Sequence, residues 1–299
     1  MSEFKTALLM GGDSPEREVS LMSGEMVLSA LQRLEIETTV VDTAEKPLSA
    51  LAESGVGRVF NILHGGAGET GEIQGALKMR GLPVTGSGVL ASALAMDKHR
   101  AKLVWKAAGI PTPSWRIAQN GAQAGEIIAE LGLPLFVKPS CGGSSTHSIA
   151  VRETSALADA IDAAAGEGAP AMIEELICGR EYTASILDDE PLPLIEIVAT
   201  GAFYDYHAKY VADDTRFICP CKLSAEEESR LQKAAMHAFS LLGCRHWGRV
   251  DFILTNSAPV FLEVNTVPGM TSHSLVPAAA KVNGLDYDEV VRRIWEGAA

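Results

Sequence analysis

The sequence predicts a protein of mixed α/β and α+β class, in which a parallel sheet covered by helices is followed by two α+β parts. Short apolar runs alternate with amphipathic segments at the start of the chain, and this alternation is typical of a parallel sheet. Farther along, runs rich in β-branched residues favour paired strands. Because 299 residues exceed the usual size of one domain, we predict three domains, at 1–95, 96–178 and 179–299.

The first domain is predicted to alternate strands with helices. The strands are expected at 5–10, 38–41 and 59–63, with helices at 19–34 and 47–53. Beyond them, a glycine stands two residues before a proline at Gly81, Gly109 and Gly132. Glycine supplies the left-handed turn that ends a helix and proline prevents its continuation, so we predict that a helix ends at each glycine.

The second domain is predicted to contain a hairpin around a glycine-rich loop. A strand at 135–137 delivers Lys138 into the small-residue loop 140–145, and the segment 149–151 returns as the partner strand. We expect a helix at 155–165 and an extended segment at 171–174 to complete this domain.

The third domain is predicted to carry most of the paired strands. We expect strands within 181–198 and at 247–254 and 260–264, with a helix that begins at the capping box of Ser224. The segment 201–221 is polar and aromatic without clear periodicity, so we predict a long functional loop.

Charge and composition restrict the partners. A formal net charge of -13 and a pI near 5.0 disfavour nucleic acid and anionic membranes, which the summed field would repel. The N-terminal residues lack the basic and long apolar regions of a signal peptide, and five cysteines do not suggest a disulfide framework, so we expect a reducing cytoplasm. Cys219 and Cys221 could chelate a soft metal, but ordinary thiols are favoured because no second pair accompanies them.

Two neighbouring strands carry a pattern that suits a hard cation. Arg249 and Asp251 lie two apart on one predicted strand, as do Glu263 and Asn265 on the next. If the strands pair as a hairpin, one face presents two carboxylates, an amide oxygen and a guanidinium. Oxygen ligands of this kind suit magnesium beside nucleotide phosphates. The alternative is a surface ion pair with acidic caps.

The turn after Asn265 predicts an anion site. Residues 266–274 form turns that open a helix, and Ser274 can be the N-cap of that helix. The first-turn amides beyond Ser274 would then suit a carboxylate or a phosphate. A capped helix without a ligand is the equal alternative.

Together these motifs resemble those of D-alanine–D-alanine ligases, members of the ATP-grasp superfamily. The similarity extends over the whole chain. The number of matching motifs and their order along the sequence make it specific. It rests on Gly11-Gly12, Glu16 to Ser20, His64-Gly65, Gly86-Ser87-Gly88, Met96-Asp97-Lys98, Val137-Lys138-Pro139, Gly143-Ser144-Ser145, Glu181-Tyr182-Thr183, Phe203 to Tyr206, Lys209-Tyr210, the Arg249 strand and the segment from Glu263 to Leu275. The resemblance implies an ATP-grasp fold, with a Rossmann-like N-terminal sheet and two α+β domains that enclose the nucleotide.

The resemblance also implies where ATP and metal bind. Lys98 and Lys138 would contact the phosphates, and Ser144 and Ser145 would lie on a loop that closes over them. An interdomain strand and an acid would hold the adenine and the ribose: Glu174, Glu175, Ile177 and Glu181. Two magnesium ions, for which manganese can substitute, would be held by Asp251, Glu263 and Asn265. Activation by potassium is a further feature to test.

The two amino-acid subsites follow from the same resemblance. Glu16, linked to Ser144 and Tyr210, would bind the ammonium group of the first D-alanine, with His64 and Lys209 nearby. For His64 a structural hydrogen-bonding role is the common alternative. Arg249 and the Gly269 amide would form an oxyanion hole, and Ser274 with Leu275 would bind the second carboxylate. Tyr210 favours a dipeptide product, because lactate-accepting relatives usually carry histidine there.

The implied reaction is ATP-dependent synthesis of D-alanyl-D-alanine for peptidoglycan precursors, through an acyl phosphate, in a homodimer. The loop 201–221 would be the lid. Two places depart from the commoner family pattern and predict altered nucleotide-loop and lid contacts: 141–147 and Cys221-Lys222. Three alternatives remain open: a dinucleotide oxidoreductase, whose G-x-G-x-x-G pattern is incomplete, a non-catalytic ATP-binding homologue, and an ATP-grasp ligase with another acceptor.

Overall fold

Three β-sheets with helices around them form the fold. The computed structural model describes residues 5–53, 55–143, 148–166, 169–198 and 215–299. One sheet has the strand order Thr38–Asp42, Lys5–Met10, Val56–Asn61. Another has the order Trp115–Ala118, Ala171–Glu175, Leu135–Pro139, Ile149–Val151. The third has the order Arg216–Ile218, Ile195–Val198, Arg180–Leu187, Trp247–Leu254, Pro259–Asn265, with Glu190–Pro191 paired to Arg180–Leu187. The predicted mixed class is therefore confirmed, while the exact domain boundaries stay a prediction.

The first sheet is parallel, as predicted from the alternating pattern. Its strands are β1 (Lys5–Met10), β2 (Thr38–Asp42) and β3 (Val56–Asn61). Helix α1 (Arg17–Arg33) and a 3₁₀ helix (Leu48–Glu53) connect them. The prediction for β3 was shifted towards the C-terminus, because the buried residues Ile62 and Leu63 continue the apolar run past the strand end towards His64.

Three helices lead from the first sheet to the second. They are α2 (Glu72–Met79), α3 (Val89–Met96) and α4 (Lys98–Ala107). Gly81 and Gly109 lie just beyond helix ends and have φ values of 69° and 76°. The left-handed conformation that glycine adopts readily thus ends these helices, as the sequence predicts.

The second sheet is antiparallel and contains the predicted glycine-loop hairpin. Its elements are β4 (Trp115–Ala118), α5 (Ala124–Leu131), β5 (Leu135–Pro139), β6 (Ile149–Val151), α6 (Leu157–Ala164) and β7 (Ala171–Glu175). Leu135 pairs with Val151 and Val137 with Ile149, so β5 and β6 form the two sides of the loop. Lys138 lies near the end of β5, at the entrance to that loop.

The third sheet is antiparallel and carries the Arg249 and Glu263 strands. Its strands are β8 (Arg180–Leu187), β9 (Glu190–Pro191), β10 (Ile195–Val198), β11 (Arg216–Ile218), β12 (Trp247–Leu254) and β13 (Pro259–Asn265). The position of β11 corrects the prediction of a continuous loop at 201–221. Because Glu196 pairs with Ile218, the end of that segment belongs to the sheet.

Three helices complete the chain: α7 (Ala225–Leu241), α8 (Leu275–Val282) and α9 (Tyr287–Glu296). The Ser224 side chain accepts a hydrogen bond from the Glu227 amide at 3.2 Å, which confirms the N-cap part of the predicted capping box. Across residues 5–299, apart from the segments left undescribed, no helix combines the length and apolarity that a membrane span requires.

One apolar core connects the first sheet with the C-terminal helices. Phe60 and Ile62 from the first sheet region pack in the same buried cluster as Val267, Met270 and Val290. Burial of such side chains contributes about 1.5–3 kcal/mol each, so this core holds the turn after β13 firmly against α1. The turn is therefore fixed relative to both its own strand and the first domain.

Candidate active site

The β12–β13 hairpin builds one wall of the candidate site. Asp251 pairs directly with Glu263, and Arg249 with Asn265. In an antiparallel pair, side chains at directly opposed positions lie on the same face. The predicted arrangement of two carboxylates, an amide and a guanidinium on one face is therefore confirmed.

Arg249 and Asp251 form a buried ion pair on this face. Arg249 Nε donates to Asp251 Oδ1 and Nη2 donates to Oδ2, each at 2.8 Å. The Thr183 hydroxyl also donates to Asp251 Oδ1, at 2.6 Å. The side chains are only 13% and 10% exposed, so the ion pair of the alternative interpretation exists but is buried and does not lie on the surface. Three charge-assisted hydrogen bonds fix the carboxylate.

An open cleft lies between this wall and the first domain. Five of the predicted site residues line the cleft: Glu16, Lys98, Arg249, Glu263 and Asn265. Glu69, which the sequence analysis did not single out, lines it as well. Cations and carboxylates that lie far apart in the sequence thus meet around one cleft.

Glu16 and the glycine-rich loop are in close contact. Glu16 is the N-cap residue of α1 and is 9% exposed. A Cβ atom placed on Gly143 would lie 2.7 Å from Glu16 Oε2, and one placed on Gly65 would lie even closer to the same oxygen. Real Cβ atoms do not approach other heavy atoms to that distance, so a side chain at either position would displace the Glu16 carboxylate. The loop of the second domain therefore meets the predicted ammonium-binding acid of the first.

Lys98 connects the glycine-rich loop to the face of β12 and β13 that carries Glu263. It begins α4, and its Nζ donates a hydrogen bond to the Gly142 carbonyl oxygen. The same Nζ lies 3.8 Å from Glu263 Oε2. The Lys98 amide also donates to the Ser140 carbonyl at 3.1 Å, which fixes the start of α4 beside the loop. A cation is thus held between the loop and a carboxylate of β13.

A buried ion cluster lies behind this cleft. Glu174 is in ion-pair contact with Lys138 on one side and with Lys102 on the other, where Nζ lies 3.2 Å from Oε2. Its contact with Lys138 is an ion pair rather than a well-aligned hydrogen bond. Burial would raise the pKa of Glu174, but the two lysines lower it overall. Burial would likewise lower the pKa of Lys138, but Glu174 and Glu263 raise it overall.

The predicted adenine and ribose residues follow along β7 and β8. The Glu175 carboxylate accepts a hydrogen bond from the Ser114 amide at 3.1 Å, which fixes its side chain locally. Ile177 follows β7 and is partly buried. Glu181 lies on β8, opposite Ile253 on one neighbouring strand and Ile197 on the other. None of these residues is among those that line the cleft.

His64 is a buried connector between the first domain and the turn after β13. Its Nδ1 lies 2.9 Å from the Val267 carbonyl and its Nε2 lies 3.2 Å from Ser23 Oγ. The network is consistent with a neutral ring that donates through Nδ1 and accepts through Nε2. Burial lowers the pKa of His64 to about 4. The structural alternative for His64 therefore has direct support in these contacts.

Glu69 is a buried acid that the sequence did not single out. It accepts hydrogen bonds from the Gly65 amide at 2.7 Å and from the Val267 amide at 3.3 Å. Burial, with the nearby Glu16 carboxylate, raises the pKa of Glu69 to about 8. Glu69 follows His64 by five residues in the sequence, and this proximity is the signal that could have indicated a site residue.

The turn after β13 is held by hydrogen bonds from several elements. The Val267 amide donates to Asn265 Oδ1 at 3.0 Å, and the Met270 amide donates to Ser23 Oγ at 3.1 Å. Ser274 occupies the N-cap position of α8, as predicted, but its hydroxyl accepts from the Thr271 amide at 2.8 Å instead of from the helix. The amides of the first turn of α8, beginning at Leu275, thus donate no hydrogen bond to that side chain.

Gly269 lies directly beside Ser274. A Cβ atom on Gly269 would meet Ser274 Oγ at 2.9 Å. The predicted oxyanion amide and the predicted carboxylate site are therefore neighbours in the same turn.

The structure brings many of the candidates together but does not cover all of them. Lys102 and Thr183 are two further residues that the sequence did not indicate, although Lys102 follows Lys98 by one helical turn. Four candidates lie outside the described residues: Ser144, Ser145, Lys209 and Tyr210.

Comparisons with known proteins agree on one family. The family profile described as "D-ala D-ala ligase C-terminus" matches residues 104–296. D-alanine–D-alanine ligases from Burkholderia cenocepacia J2315 and Burkholderia orbicola MC0-3 are 51% and 52% identical, over 97% of this chain and 95% of theirs.

Solved structures extend the same result to the fold. The VanG D-Ala:D-Ser ligase from Enterococcus faecalis superimposes with a TM-score of 0.86 at 32% identity, covering 99% of both chains. D-alanine–D-alanine ligase from Bacillus anthracis complexed with ATP gives a TM-score of 0.85 at 31% identity, covering 98% of this chain and 97% of the other. The predicted ATP-grasp fold is confirmed, and the chain belongs to the D-alanine–D-alanine ligase family.

Proposed function

We propose that this protein is an ATP-dependent ligase that joins two D-alanine molecules into D-alanyl-D-alanine for peptidoglycan precursors. The observation that carries the proposal is the contact between Glu16 and Gly143, which brings a buried acid against the glycine-rich loop in a cleft shared with Lys98 and Arg249. An acid for an ammonium group and cations for phosphates thus lie within one cleft. Relatives that are 51–52% identical over nearly the whole chain carry this activity in their names.

In the first step, the carboxylate of one D-alanine attacks the γ-phosphoryl group of ATP. Glu16 binds the ammonium group of this D-alanine, and Ser144 with Tyr210 completes that subsite. Lys98 and Lys138 offset the charge of the phosphates, which is the main contribution a protein makes to phosphoryl transfer. The contact of Lys98 with the loop carbonyl of Gly142 supports its place beside the phosphates.

In the second step, the amine of another D-alanine attacks the acyl phosphate and phosphate leaves. Arg249 and the Gly269 amide stabilise the tetrahedral oxyanion. The carboxylate of this D-alanine binds at Ser274 and the first-turn amides of α8, where the helix N-terminus favours an anion. The Ser274 hydroxyl does not cap those amides, which supports their availability to a ligand.

The donor atoms of the β12–β13 face suit magnesium or manganese. Asp251 and Glu263 lie directly opposite each other, and Asn265 follows on the same face. In the described part of the chain, no group of three or more His, Cys, Asp or Glu side chains is arranged to hold a metal ion, so the amide of Asn265 and the nucleotide phosphates would complete the ligand set. A bound metal would supply charge stabilisation for the phosphates.

The remaining candidates bind other parts of ATP or border the two D-alanine subsites. The strand that ends in Glu174 and Glu175 and continues to Ile177 binds the adenine, and Glu181 binds the ribose. Ser145 lies on the loop that covers the phosphates. His64 and Lys209 border the first D-alanine, and Leu275 borders the second. The lid predicted at 201–221, of which residues 201–214 lie outside the described part of the chain, would exclude water from the acyl phosphate.

D-Alanine is the favoured acceptor, and D-serine is the second candidate. A D-Ala:D-Ser ligase shares the fold at 32% identity, whereas D-alanine–D-alanine ligases reach 52%. Tyr210 further favours an amine acceptor over D-lactate. We also propose a cytoplasmic location, a homodimer and activation by potassium, which sedimentation and assays in potassium or sodium salts would test.

A steady-state assay tests the proposed function. ADP release from Mg-ATP is measured with D-alanine, D-serine, D-lactate, L-alanine or no addition, and products are identified by mass. We expect D-alanine to give the highest rate and one dipeptide per ADP. Equal ADP release with and without D-alanine would contradict the proposal.

A further inference from the structure

Lys102 is a fully buried lysine that the proposed reaction does not use. Its side chain is 0% exposed, on the same face of α4 as Lys98 and one turn later. A buried ammonium group is costly unless it is paired and hydrogen-bonded. The contacts that offset this cost therefore indicate what Lys102 does.

Lys102 lies between three strands of two sheets. Its Nζ donates to Thr112 Oγ1 at 2.7 Å and lies 3.2 Å from Glu174 Oε2 on β7. The Thr112 hydroxyl in turn donates to the Phe261 carbonyl on β13, at 2.9 Å. On the far side of Glu174, Lys138 on β5 is in ion-pair contact with Oε1. One carboxylate thus stands between two lysines, and each of its oxygens faces one of them.

The charges in this row do not cancel. Glu263 also attracts Lys102 and Lys138, and its Oε2 lies 3.8 Å from Lys98 Nζ, so three ammonium groups share two carboxylates and one net positive charge remains. The side chains of Lys102, Lys138 and Glu174 are at most 10% exposed. Charges interact more strongly in such a region than in water. Burial lowers the pKa of Lys102 to about 8, so Lys102 remains mostly protonated at neutral pH. The excess charge calls for an anion on the side of the row that faces the cleft.

We propose that Lys102 is a positioning residue for ATP, which neutralises Glu174 so that the charge of Lys138 stays available to the nucleotide phosphates. Without Lys102, Lys138 and Glu174 would form a closed pair of zero net charge, and Lys138 would attract phosphate less. Lys102 does not touch the nucleotide; it acts through Glu174. This inference rests on the ATP site proposed above and names a residue that determines its affinity.

Direct binding of Mg-ATP, measured calorimetrically without D-alanine, tests the role of Lys102. We expect Lys102→Met and Lys102→Gln to weaken binding at least tenfold, and Lys102→Arg, which keeps the charge, to bind within threefold of wild type. Gln retains hydrogen-bonding capacity, so it decides the question if Met fails to fold. Lys106→Met, on an exposed position one turn later, is the matched control and should bind normally.

A second background separates electrostatics from simple structural damage. With Glu174→Gln there is no carboxylate charge to neutralise, so Lys102→Gln should then weaken Mg-ATP binding less than threefold. In steady state, the KM for ATP should rise in Lys102→Gln while the KM for D-alanine stays within threefold.

Two results would overturn the assignment: normal Mg-ATP binding by folded Lys102→Gln, or an equal loss in both backgrounds. A wild-type protein that fails to bind Mg-ATP would instead overturn the proposed function itself.

Discussion

Replacing Gly143 by alanine is expected to reduce activity while leaving the fold intact. The added Cβ atom would lie 2.7 Å from Glu16 Oε2 and 2.8 Å from Oε1. The nearest atoms thus belong to the end of one side chain, and the backbone of Gly143 is not in the left-handed region. The carboxylate can move away, so the change falls on its position rather than on folding.

The size of the effect follows from the distances. Ordinary contacts of a Cβ atom begin at 3.4 Å, so the Glu16 carboxylate must retreat by 3.4 − 2.7 = 0.7 Å. Misplacing a substrate-positioning group by about 1 Å can cost about 100-fold in rate. We therefore expect kcat/KM for D-alanine to fall about 10- to 100-fold, and the Tm to change by less than about 3 °C, which corresponds to about 1 kcal/mol.

ADP release at varied D-alanine concentration and thermal unfolding measure the two quantities. Gly125→Ala is the matched control, because Gly125 lies in α5 with open space around the added Cβ. That control should keep full activity. If Gly143→Ala retained kcat/KM within threefold of wild type, the placement of Glu16 against the loop would not matter for the reaction.

The remaining predictions concern the ion pair, the hydroxyl and the histidine. Arg249→Ala should lower kcat about 10²- to 10³-fold, as loss of an oxyanion donor does, and should destabilise the fold by about 3–5 kcal/mol because Asp251 loses a buried partner. Thr183→Val should lower the unfolding free energy in urea by about 1.5–3 kcal/mol, because a hydrogen bond of 2.6 Å to a carboxylate is lost. Replacing His64 should flatten the pH dependence of stability. Its pKa of about 4 lies below the unfolded value of about 6.5, so neutral His64 contributes stability above pH 6.5 that is lost as pH falls towards 4.

Each of these predictions has a direct contradiction. Wild-type ADP formation by Arg249→Ala would remove Arg249 from the reaction, with Arg249→Lys as the variant that keeps charge without the two-point contact. An unchanged urea midpoint for Thr183→Val would show that the hydroxyl contributes little. For His64→Gln, urea unfolding at pH 7.5 and 4.5 should show that wild type loses about 2.5 kcal/mol more than the variant over this interval. Parallel losses in the two proteins would refute the assignment.

Local patterns predicted much of the fold because the responsible interactions are short-range. Strand β12, the return strand β6 and the β12–β13 hairpin lie where alternation and turn residues indicated, and the cross-strand face of Asp251 and Glu263 followed from their spacing. By contrast, the predicted bounds of β3 were shifted, because the apolar residues Ile62 and Leu63 are buried in the core although they lie beyond the end of the strand. Strand β11 was missed because three partly exposed residues carry no alternation.

Several features of the site could not be predicted because they depend on contacts between distant segments. In the sequence, Lys102 is one of several polar residues of a helix, and its ion pair with Glu174 depends on the position of β7 in the fold. Glu69 reads as a surface acid until the Val267 amide binds it. The resemblance named Arg249 and Asp251 for separate roles, whereas the side chains also bind each other.

The most direct test of the central claim follows oxygen from substrate to product. D-Alanine labelled with ¹⁸O in its carboxylate is incubated with Mg-ATP and the protein, and the dipeptide and the released phosphate are analysed by mass spectrometry. Reaction through an acyl phosphate predicts one ¹⁸O atom in the phosphate for each D-alanyl-D-alanine formed. Dipeptide formation with unlabelled phosphate, or ADP release without dipeptide, would contradict it.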